Sequence, residues 1–173
     1  YIDDKQFDIR EKYGFSEHDN IICCLQASFK ISDFMDQIFD SLLKNPNTYI
    51  LLSVAFAPFS SNRLKKMKEK IGNKCERLKF YPILSLNDYM NLINISDIVL
   101  DPYPFGGCNS SLEAFYLNKP IVTLPSKRIN GRFTYGFYQK MDISDCIVKN
   151  QYEYINKCFQ LINDKKYYNN ISK

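Results

Sequence analysis

The glycine-rich segment of residues 98–113 holds the residues of this chain with the clearest use in chemistry. Its first residues, Ile98-Val99-Leu100, are an apolar run typical of a buried parallel strand. Gly106-Gly107 lets the backbone approach a ligand closely, because neither residue has a Cβ atom. Asn109-Ser110-Ser111 then places polar groups at the start of a helix, whose first N–H groups attract anions. The segment therefore predicts a phosphate site.

Two interpretations of this helix start are open. Ser110 could be the N-cap residue, with Glu113 completing a capping box three residues later, an arrangement that needs no ligand. Alternatively, Glu113 lies one turn into a phosphate-binding helix, where its carboxylate can accept hydrogen bonds from both hydroxyls of a ribose. Polar residues that follow other predicted strands favour the second interpretation, because a capped helix does not require them.

Strand and helix signals alternate along the chain, which predicts an α/β fold. Apolar runs place strands at residues 21–25, 49–54, 78–84, 98–101 and 121–124, with a shorter sixth run at 146–148. Helical spacing places helices after the Ser32 cap and at residues 63–71, 87–95, 110–117, 133–141 and 152–162. This alternation is typical of a Rossmann-like, doubly wound parallel sheet covered by helices on both faces.

The length of 173 residues suits one domain with a substantial core. We expect residues 1–173 to form that domain, with residues 1–19 as a lead-in and residues 151–173 as a terminal helix. The chain does not begin with Met, so we expect it to be part of a longer protein. No apolar run approaches the ~18 residues of a membrane span, and the N-terminus is not a signal peptide.

Composition and charge exclude some partners. The formal net charge of +4 is mild, and the basic run at residues 63–70 is more typical of a solvated helix face than of a nucleic-acid patch. We therefore expect no nucleic-acid partner.

The six cysteines include no C-x-x-C pair, and Cys23 and Cys24 lie in an apolar strand. This usage indicates a reducing, cytoplasmic location without disulfides or zinc.

Ligands of a doubly wound sheet bind beyond the carboxyl ends of its strands, so the residues that follow each strand are site candidates. These segments are residues 26–30, 55–60, 84–89, 101–111 and 124–132. Lys30 could meet a diphosphate as a flexible cation, although a surface lysine is the plainer interpretation. Gln26 could donate to the same group or bond its own loop. Tyr89 could stack on a base or pack against the core.

Several common signatures are absent from the sequence. No G-x-G-x-x-G follows the first strand and no G-x-x-x-x-G-K-[ST] occurs, so neither a usual dinucleotide site nor a P-loop is supported. Asp101-Pro102-Tyr103 lacks the second carboxylate of a D-x-D site, so we expect no metal on the diphosphate. The one histidine, His18, precedes the first strand, at the sheet edge away from the predicted site. An ordinary histidine general base is therefore not expected.

Three segments in this order resemble a known family. They are residues 26–31, QASFKI, residues 97–114, DIVLDPYPFGGCNSSLEA, and residues 119–125, KPIVTLP. Together they strongly resemble the C-terminal half of the O-linked N-acetylglucosamine transferase family of GT-B glycosyltransferases. The resemblance implies a Rossmann-like domain that binds the UDP of a nucleotide sugar. It also implies a partner domain earlier in the same longer protein, which supplies most acceptor contacts.

The resemblance also implies roles for individual residues. Lys30 would contact the diphosphate and help the leaving group depart, which makes it the catalytic candidate. The other candidates would bind the donor. At the phosphates these are Gln26, the glycine loop and the helix start, that is Gly106, Gly107, Asn109, Ser110 and Ser111. Glu113 would bind the ribose, and Leu84 and Tyr89 would bind the uracil.

The expected function is that of a UDP-sugar-dependent glycosyltransferase, of which this chain is the donor-binding domain. It would transfer N-acetylglucosamine or glucose to the side chain of a protein or peptide acceptor by an inverting displacement. No metal or other cofactor is expected, since a lysine and a helix N-terminus can stabilise the charge that develops on UDP. This chain alone is expected to be inactive. The alternative is a nucleotide-binding or interaction module that does not catalyse transfer.

Overall fold

The parallel sheet that the sequence predicts is present. The structure, a computed structural model, describes residues 6–54, 59 and 61–172. Its strands are β1 Asn20–Cys24, β2 Thr48–Ser53, β3 Leu78–Tyr81, β4 Ile98–Leu100 and β5 Ile121–Val122. They form one sheet in the order β3-β2-β1-β4-β5, and every neighbouring pair is parallel.

Helices connect the strands and flank the sheet. The helices of the described chain are α1 Gln6–Lys12, α2 Asp33–Leu42, α3 Ser61–Ile71, α4 Leu86–Ile95, α5 Asn109–Tyr116, α6 Phe133–Lys140, α7 Gln151–Asn163 and α8 Lys165–Ile171. Short 3-10 turns occur at Ser28–Lys30, Gly72–Arg77 and Ile129–Gly131. None of the described helices is both long and apolar enough to cross a membrane.

The sheet forms the centre of the hydrophobic core. All three residues of β4 are buried, as is β1 from Ile21 onward. Such continuous apolar strands are stable only where both faces of the sheet are covered. Cys23 and Cys24 are packed in β1 as unpaired thiols, and burial raises the pKa of the Cys23 thiol to about 12. These two cysteines behave as small apolar residues, as predicted.

The strand order brings the site together. The chain moves outward from β1 to β2 and β3, and then returns to place β4 on the other side of β1. The loops that follow β1 and β4 therefore begin at the same edge of the sheet and run in opposite directions. A crevice lies between them. Residues 26–30 follow β1 and residues 101–108 follow β4, so both predicted segments border this crevice.

Two outer elements differ from the predicted ones. The third strand ends at Tyr81 rather than at residue 84, since Pro82 has no N–H to continue the ladder. The predicted sixth strand contributes only one parallel bridge, between Thr123 and Ile147. The sequence identified both apolar runs correctly but overestimated how far their ladders extend.

The two ends of the described chain also differ. The predicted lead-in contains α1, whose Arg10 donates hydrogen bonds to the Ile95 carbonyl at 2.8 Å and to Asp97 Oδ1 at 3.2 Å. The expected single terminal helix is wrong, because the chain breaks at Asp164, between α7 and α8. The Asp164 side chain accepts from the Tyr167 N–H at 2.9 Å and begins a new helix.

The basic run lies on α3 and is largely a solvated face, as predicted. Lys65, Lys66, Lys68 and Lys70 are exposed. Arg63 differs from these lysines because it forms an ion pair with the buried Asp36, with nitrogen–oxygen distances of 2.6 and 2.7 Å. The pair joins α3 to α2, which gives Arg63 a structural role.

Candidate functional site

The glycine loop after β4 is held in place by a buried carboxylate. Asp101 accepts hydrogen bonds from the Gly107 N–H and from the Thr123 hydroxyl, each at 2.7 Å. A Cβ atom on Gly106 would lie 2.7 Å from Asp101 Oδ1, which is closer than van der Waals contact allows. A side chain at position 106 would clash with Asp101, so this position requires glycine. The sequence motif did not reveal that requirement.

Gly107 is crowded by the residues of the helix that follows. A Cβ atom there would lie 2.6 Å from Ser110 Oγ and 2.7 Å from Ser111 Oγ. It would also lie 3.1 Å from Gln26 Nε2, on the loop that follows β1. The absence of a side chain thus allows the glycine loop, α5 and the β1 loop to meet at one point.

Lys30 lies at this meeting point. Its ammonium group donates to Gln26 Oε1 at 2.9 Å and to the Gly106 carbonyl at 3.0 Å. Its nitrogen is 4.7 Å from the centroid of the Phe105 ring, a cation–π contact. Burial lowers the pKa of Lys30 from its ordinary value, and the nearby Asp101 carboxyl opposes that shift. The structure therefore holds a half-buried cation against the glycine loop.

Gln26 links Lys30 to the start of α5. Its side-chain carbonyl accepts from Lys30, and its amide group donates to Ser110 Oγ at 2.6 Å. The first N–H groups of an α-helix have no partner within the helix, so the start of α5 presents donors and a partial positive charge. Lys30, Gln26 and this helix start together form an arrangement suited to a diphosphate.

The capping-box interpretation of the helix start is wrong. The helix begins at Asn109 with Cys108 as its N-cap, and no side chain caps it. Glu113 instead accepts a hydrogen bond from the Tyr89 hydroxyl at 2.9 Å. Burial and the neighbouring Glu113 raise the pKa of Tyr89, which keeps its hydroxyl protonated as a donor.

The structure does not bring Ser111 to the crevice, although the sequence placed it among the phosphate ligands. Ser111 is buried, and its hydroxyl is 2.8 Å from the hydroxyl of Thr134 on α6. The helix starts one residue earlier than expected, and each residue turns the side-chain direction by about 100°. Ser110 therefore points toward Gln26 while Ser111 points into the core.

A cavity of about 570 Å³ adjoins the helix start, a size that suits a small-molecule ligand. Six of the predicted residues line it: Gln26, Leu84, Tyr89, Asn109, Ser110 and Glu113. Pro82, Ile83 and Leu86 also line the cavity, and of these three only Leu86 lies in a segment, residues 84–89, that the sequence marked as a candidate. Ile83 and Leu86 are 72% and 73% exposed. The sequence feature that could have identified them is the apolar run that continues beyond the third strand.

The family comparison decides what kind of domain carries this site. The model of glycosyl transferase family 41 matches residues 4–173. The chain belongs to glycosyl transferase family 41. The resemblance that the sequence motifs indicated is thereby confirmed.

Curated relatives and solved structures agree with the family 41 assignment. The probable UDP-N-acetylglucosamine–peptide N-acetylglucosaminyltransferase SPINDLY of Solanum lycopersicum is 25% identical over 103 residues, which are 59% of this chain and 11% of the relative. The Arabidopsis thaliana protein of the same name is 26% identical over 97 residues, 56% of this chain and 11% of the relative. This chain thus matches about a tenth of the length of these relatives.

Solved structures share the fold. A Thermobaculum terrenum O-GlcNAc transferase variant superimposes with a TM-score of 0.79 at 26% identity, covering 92% of this chain and 32% of that one. WaaG, a glycosyltransferase involved in lipopolysaccharide biosynthesis, gives a TM-score of 0.74 at 15% identity, covering 99% of this chain and 45% of that one. The fold of this family 41 domain is therefore that of a GT-B glycosyltransferase domain.

In the described residues, neither a metal-ligand cluster nor the one histidine is found at the candidate site. In the described part of the chain, no three His, Cys, Asp or Glu side chains come together as metal ligands. His18 is exposed, 3.3 Å from Glu17, and lines a separate cavity of about 470 Å³ that Asn20 at the start of β1 also lines. The strand-end segment 55–60 lies outside the described residues, apart from Phe59.

The crowding at Gly107 gives a direct test of the site geometry. We expect Gly107→Ala to displace the start of α5, to lower the free energy of unfolding by about 1–3 kcal/mol and to weaken UDP binding at least tenfold. Chemical denaturation and calorimetry on the same sample measure the two effects.

Gly136→Ala is the matched control, because a Cβ there would meet nothing within 4 Å. Gly136 lies in α6, so alanine should leave UDP binding unchanged and stabilise the fold by up to about 1 kcal/mol. Equal UDP affinity in the two variants would contradict the role given to the glycine loop.

Proposed function

We propose that this chain is the donor-binding domain of a UDP-sugar-dependent glycosyltransferase. The proposed reaction transfers N-acetylglucosamine or glucose to a protein side chain by an inverting displacement at the anomeric carbon. The oxygen of an acceptor hydroxyl forms the new bond on one face of the sugar and releases its proton to solvent. On the other face the bond from the anomeric carbon to UDP breaks, and UDP leaves with the electron pair. The acceptor, the sugar and the partner domain of the longer protein are parts of this proposal.

The observation that carries the proposal is the junction of Lys30, Gln26 and the start of α5, of which Gln26 and the start of α5 line the cavity. Lys30 and Ser110 are both bound to Gln26, at 2.9 and 2.6 Å, so a cation and a helix N-terminus face one place. Charge that develops on the departing diphosphate would be stabilised there by groups already oriented. This chain can supply that stabilisation without a metal ion.

The remainder of the cavity suits a nucleoside. Glu113 lies one turn along α5 from the phosphate site, where its carboxylate can accept from ribose hydroxyls. Its bond from Tyr89 fixes the orientation of the carboxylate. Tyr89 and Leu84 line the same cavity, and we assign the uracil ring to them as part of the proposal.

The relatives support the choice of donor. The matched plant proteins are named as probable UDP-N-acetylglucosamine–peptide N-acetylglucosaminyltransferases. The matched bacterial structure is named an O-GlcNAc transferase, and the similarity to it covers 92% of this chain. We extend the UDP-sugar donor and the polypeptide acceptor to this chain by that likeness. The unpaired cysteines support a cytoplasmic location as part of the same proposal.

Calorimetry of this chain against UDP, UDP-N-acetylglucosamine, UDP-glucose and GDP tests the proposal. The three uridine ligands should bind, and GDP should bind at least tenfold more weakly. Sugar transfer should require the longer protein, since this chain offers only one side of the cleft. Failure of all three uridine ligands to bind, with the chain folded, would overturn the proposed function.

Metal independence is a separate expectation. Because Lys30 and the helix start provide the positive charge, the affinity for UDP should be the same in EDTA and in excess Mg²⁺. Titrations of one preparation under the two conditions measure this. Binding that is lost on chelation and restored by Mg²⁺ would contradict the metal-free reading of the site.

A further inference from the structure

A second cavity, of about 560 Å³, lies beside Lys30 and is distinct from the nucleoside cavity. We name it the basic groove and define it by three aromatic and three cationic residues, Phe29, Tyr103, Phe105, Lys30, Lys127 and Arg128. None of its lining residues is Asp or Glu. Of the proposed donor contacts, only Lys30 lines this groove, whereas the nucleoside contacts and the start of α5 line the other cavity. The donor therefore leaves most of this groove unaccounted for.

The aromatic wall presents an apolar surface at the protein exterior. Phe29 is 67% exposed, and its ring centroid lies 5.9 Å from that of Phe105. Ile129, on the same loop as the two outer cations, is 76% exposed. Large apolar side chains that cluster at a surface mark a place where another molecule binds.

The cationic wall is held by an ordered loop. The Ser126 N–H donates to the Gly131 carbonyl at 3.0 Å, and the Ser126 hydroxyl donates to the Arg128 carbonyl at 3.0 Å. The Gly106 N–H donates to the Asn130 carbonyl, also at 3.0 Å, which fastens this loop to the glycine loop. The positions of the two cations are therefore coupled to the phosphate site.

Among the described residues, the two outer cations have no acidic partner. Lys127 and Arg128 are exposed, and neither forms an ion pair with any carboxylate in the part of the chain that the structure describes. An ordered basic surface without internal compensation favours a ligand of opposite charge. The three cations form a short cluster rather than the extended stripe that nucleic acids require, which favours a polypeptide.

We propose that the basic groove binds an acidic segment of the polypeptide acceptor. This inference rests on the proposed function and goes beyond it by assigning acceptor selection to this domain and naming the charge it selects. The attacking oxygen must reach a sugar attached to the diphosphate at Lys30, so an acceptor in an adjacent groove is correctly placed. Carboxylates beside the acceptor residue would meet Lys127 and Arg128, while Phe29 and Phe105 would contact its apolar atoms.

Fluorescence anisotropy with this chain tests the inference. Three labelled peptides of equal length carry one serine flanked by Asp and Glu, by Asn and Gln, or by Lys, and saturating UDP is present. The acidic peptide should bind about five- to tenfold more tightly than the neutral one, the size expected of two exposed charge pairs. The preference should decrease as salt is added. In Lys127→Glu/Arg128→Glu it should disappear or reverse.

Lys66→Glu/Lys68→Glu on α3 is the matched control, since it changes the net charge equally at exposed positions outside the groove. It should keep the preference. The inference is overturned if both variants lose the preference or if Lys127→Glu/Arg128→Glu keeps it. It is also overturned if a single-stranded oligonucleotide binds more tightly than the acidic peptide. UDP affinity is measured on every sample, so intact UDP binding with no peptide preference refutes the groove alone, whereas absent UDP binding refutes the proposed function.

Discussion

Replacing Lys30 by alanine should lower kcat by about two orders of magnitude or more in an active enzyme that contains this domain. Lys30 is half-buried and its ammonium group is fixed by Gln26 and by the Gly106 carbonyl. A fixed cation stabilises the diphosphate most strongly when the bond to the sugar breaks and the negative charge increases. The loss should therefore exceed any accompanying change in KM.

Steady-state kinetics with varied UDP-sugar separates the two constants. Lys140→Ala is the control, because Lys140 is an exposed lysine in the last turn of α6. A Lys30→Ala enzyme with normal kcat and a raised KM would show that the lysine contributes only to ground-state binding. A variant that unfolds is recognised by its melting temperature and is replaced by Lys30→Gln, which keeps a donor without the charge.

Glu113→Gln should weaken UDP binding by about 1–3 kcal/mol, as expected when a charged hydrogen-bond acceptor is removed. The change keeps the volume of the side chain, and a glutamine carbonyl can still accept from Tyr89. Stability should therefore change little. Calorimetry with UDP, together with a thermal melt of the same sample, distinguishes loss of a ligand contact from loss of folding.

The 2′-deoxy analogue of UDP makes this test specific for the ribose. The original chain should bind UDP more tightly than the analogue, and Glu113→Gln should bind the two with nearly equal affinity, because the variant lacks the carboxylate that the hydroxyl contacts. Tyr89→Phe is the companion variant, since it removes the bond to Glu113 but keeps the ring. Unchanged discrimination in Glu113→Gln would remove Glu113 from the ribose site.

The sequence by itself determined the strands, their parallel class and the edge of the sheet where the candidate site lies. Continuous apolar runs such as residues 98–100 are compatible only with burial on both faces, and the alternation with helices requires parallel strands. Polar residues directly after such strands must then gather at one edge. Gln26, Lys30 and the glycine loop are identified on that basis from the sequence alone.

The tertiary structure decided which of those residues meet. Gln26 and Ser110 are 84 residues apart in the chain and touch only because β4 is placed beside β1. Tyr89 likewise reaches Glu113 from another helix, and Glu113 accepts from Tyr89 rather than completing the capping box that the local sequence suggests. Local patterns record spacing along the chain and carry no information on partners supplied by other elements.

The tertiary structure also decided the direction of individual side chains. Ser110 and Ser111 are adjacent and chemically identical, yet one faces Gln26 and the other is buried against Thr134. Asp101 follows β4 like a ligand-binding residue, but its carboxylate is used to hold Gly107 and Thr123. A shift of one residue in a helix start turns each side chain by about 100°, so these roles follow from packing rather than from residue type.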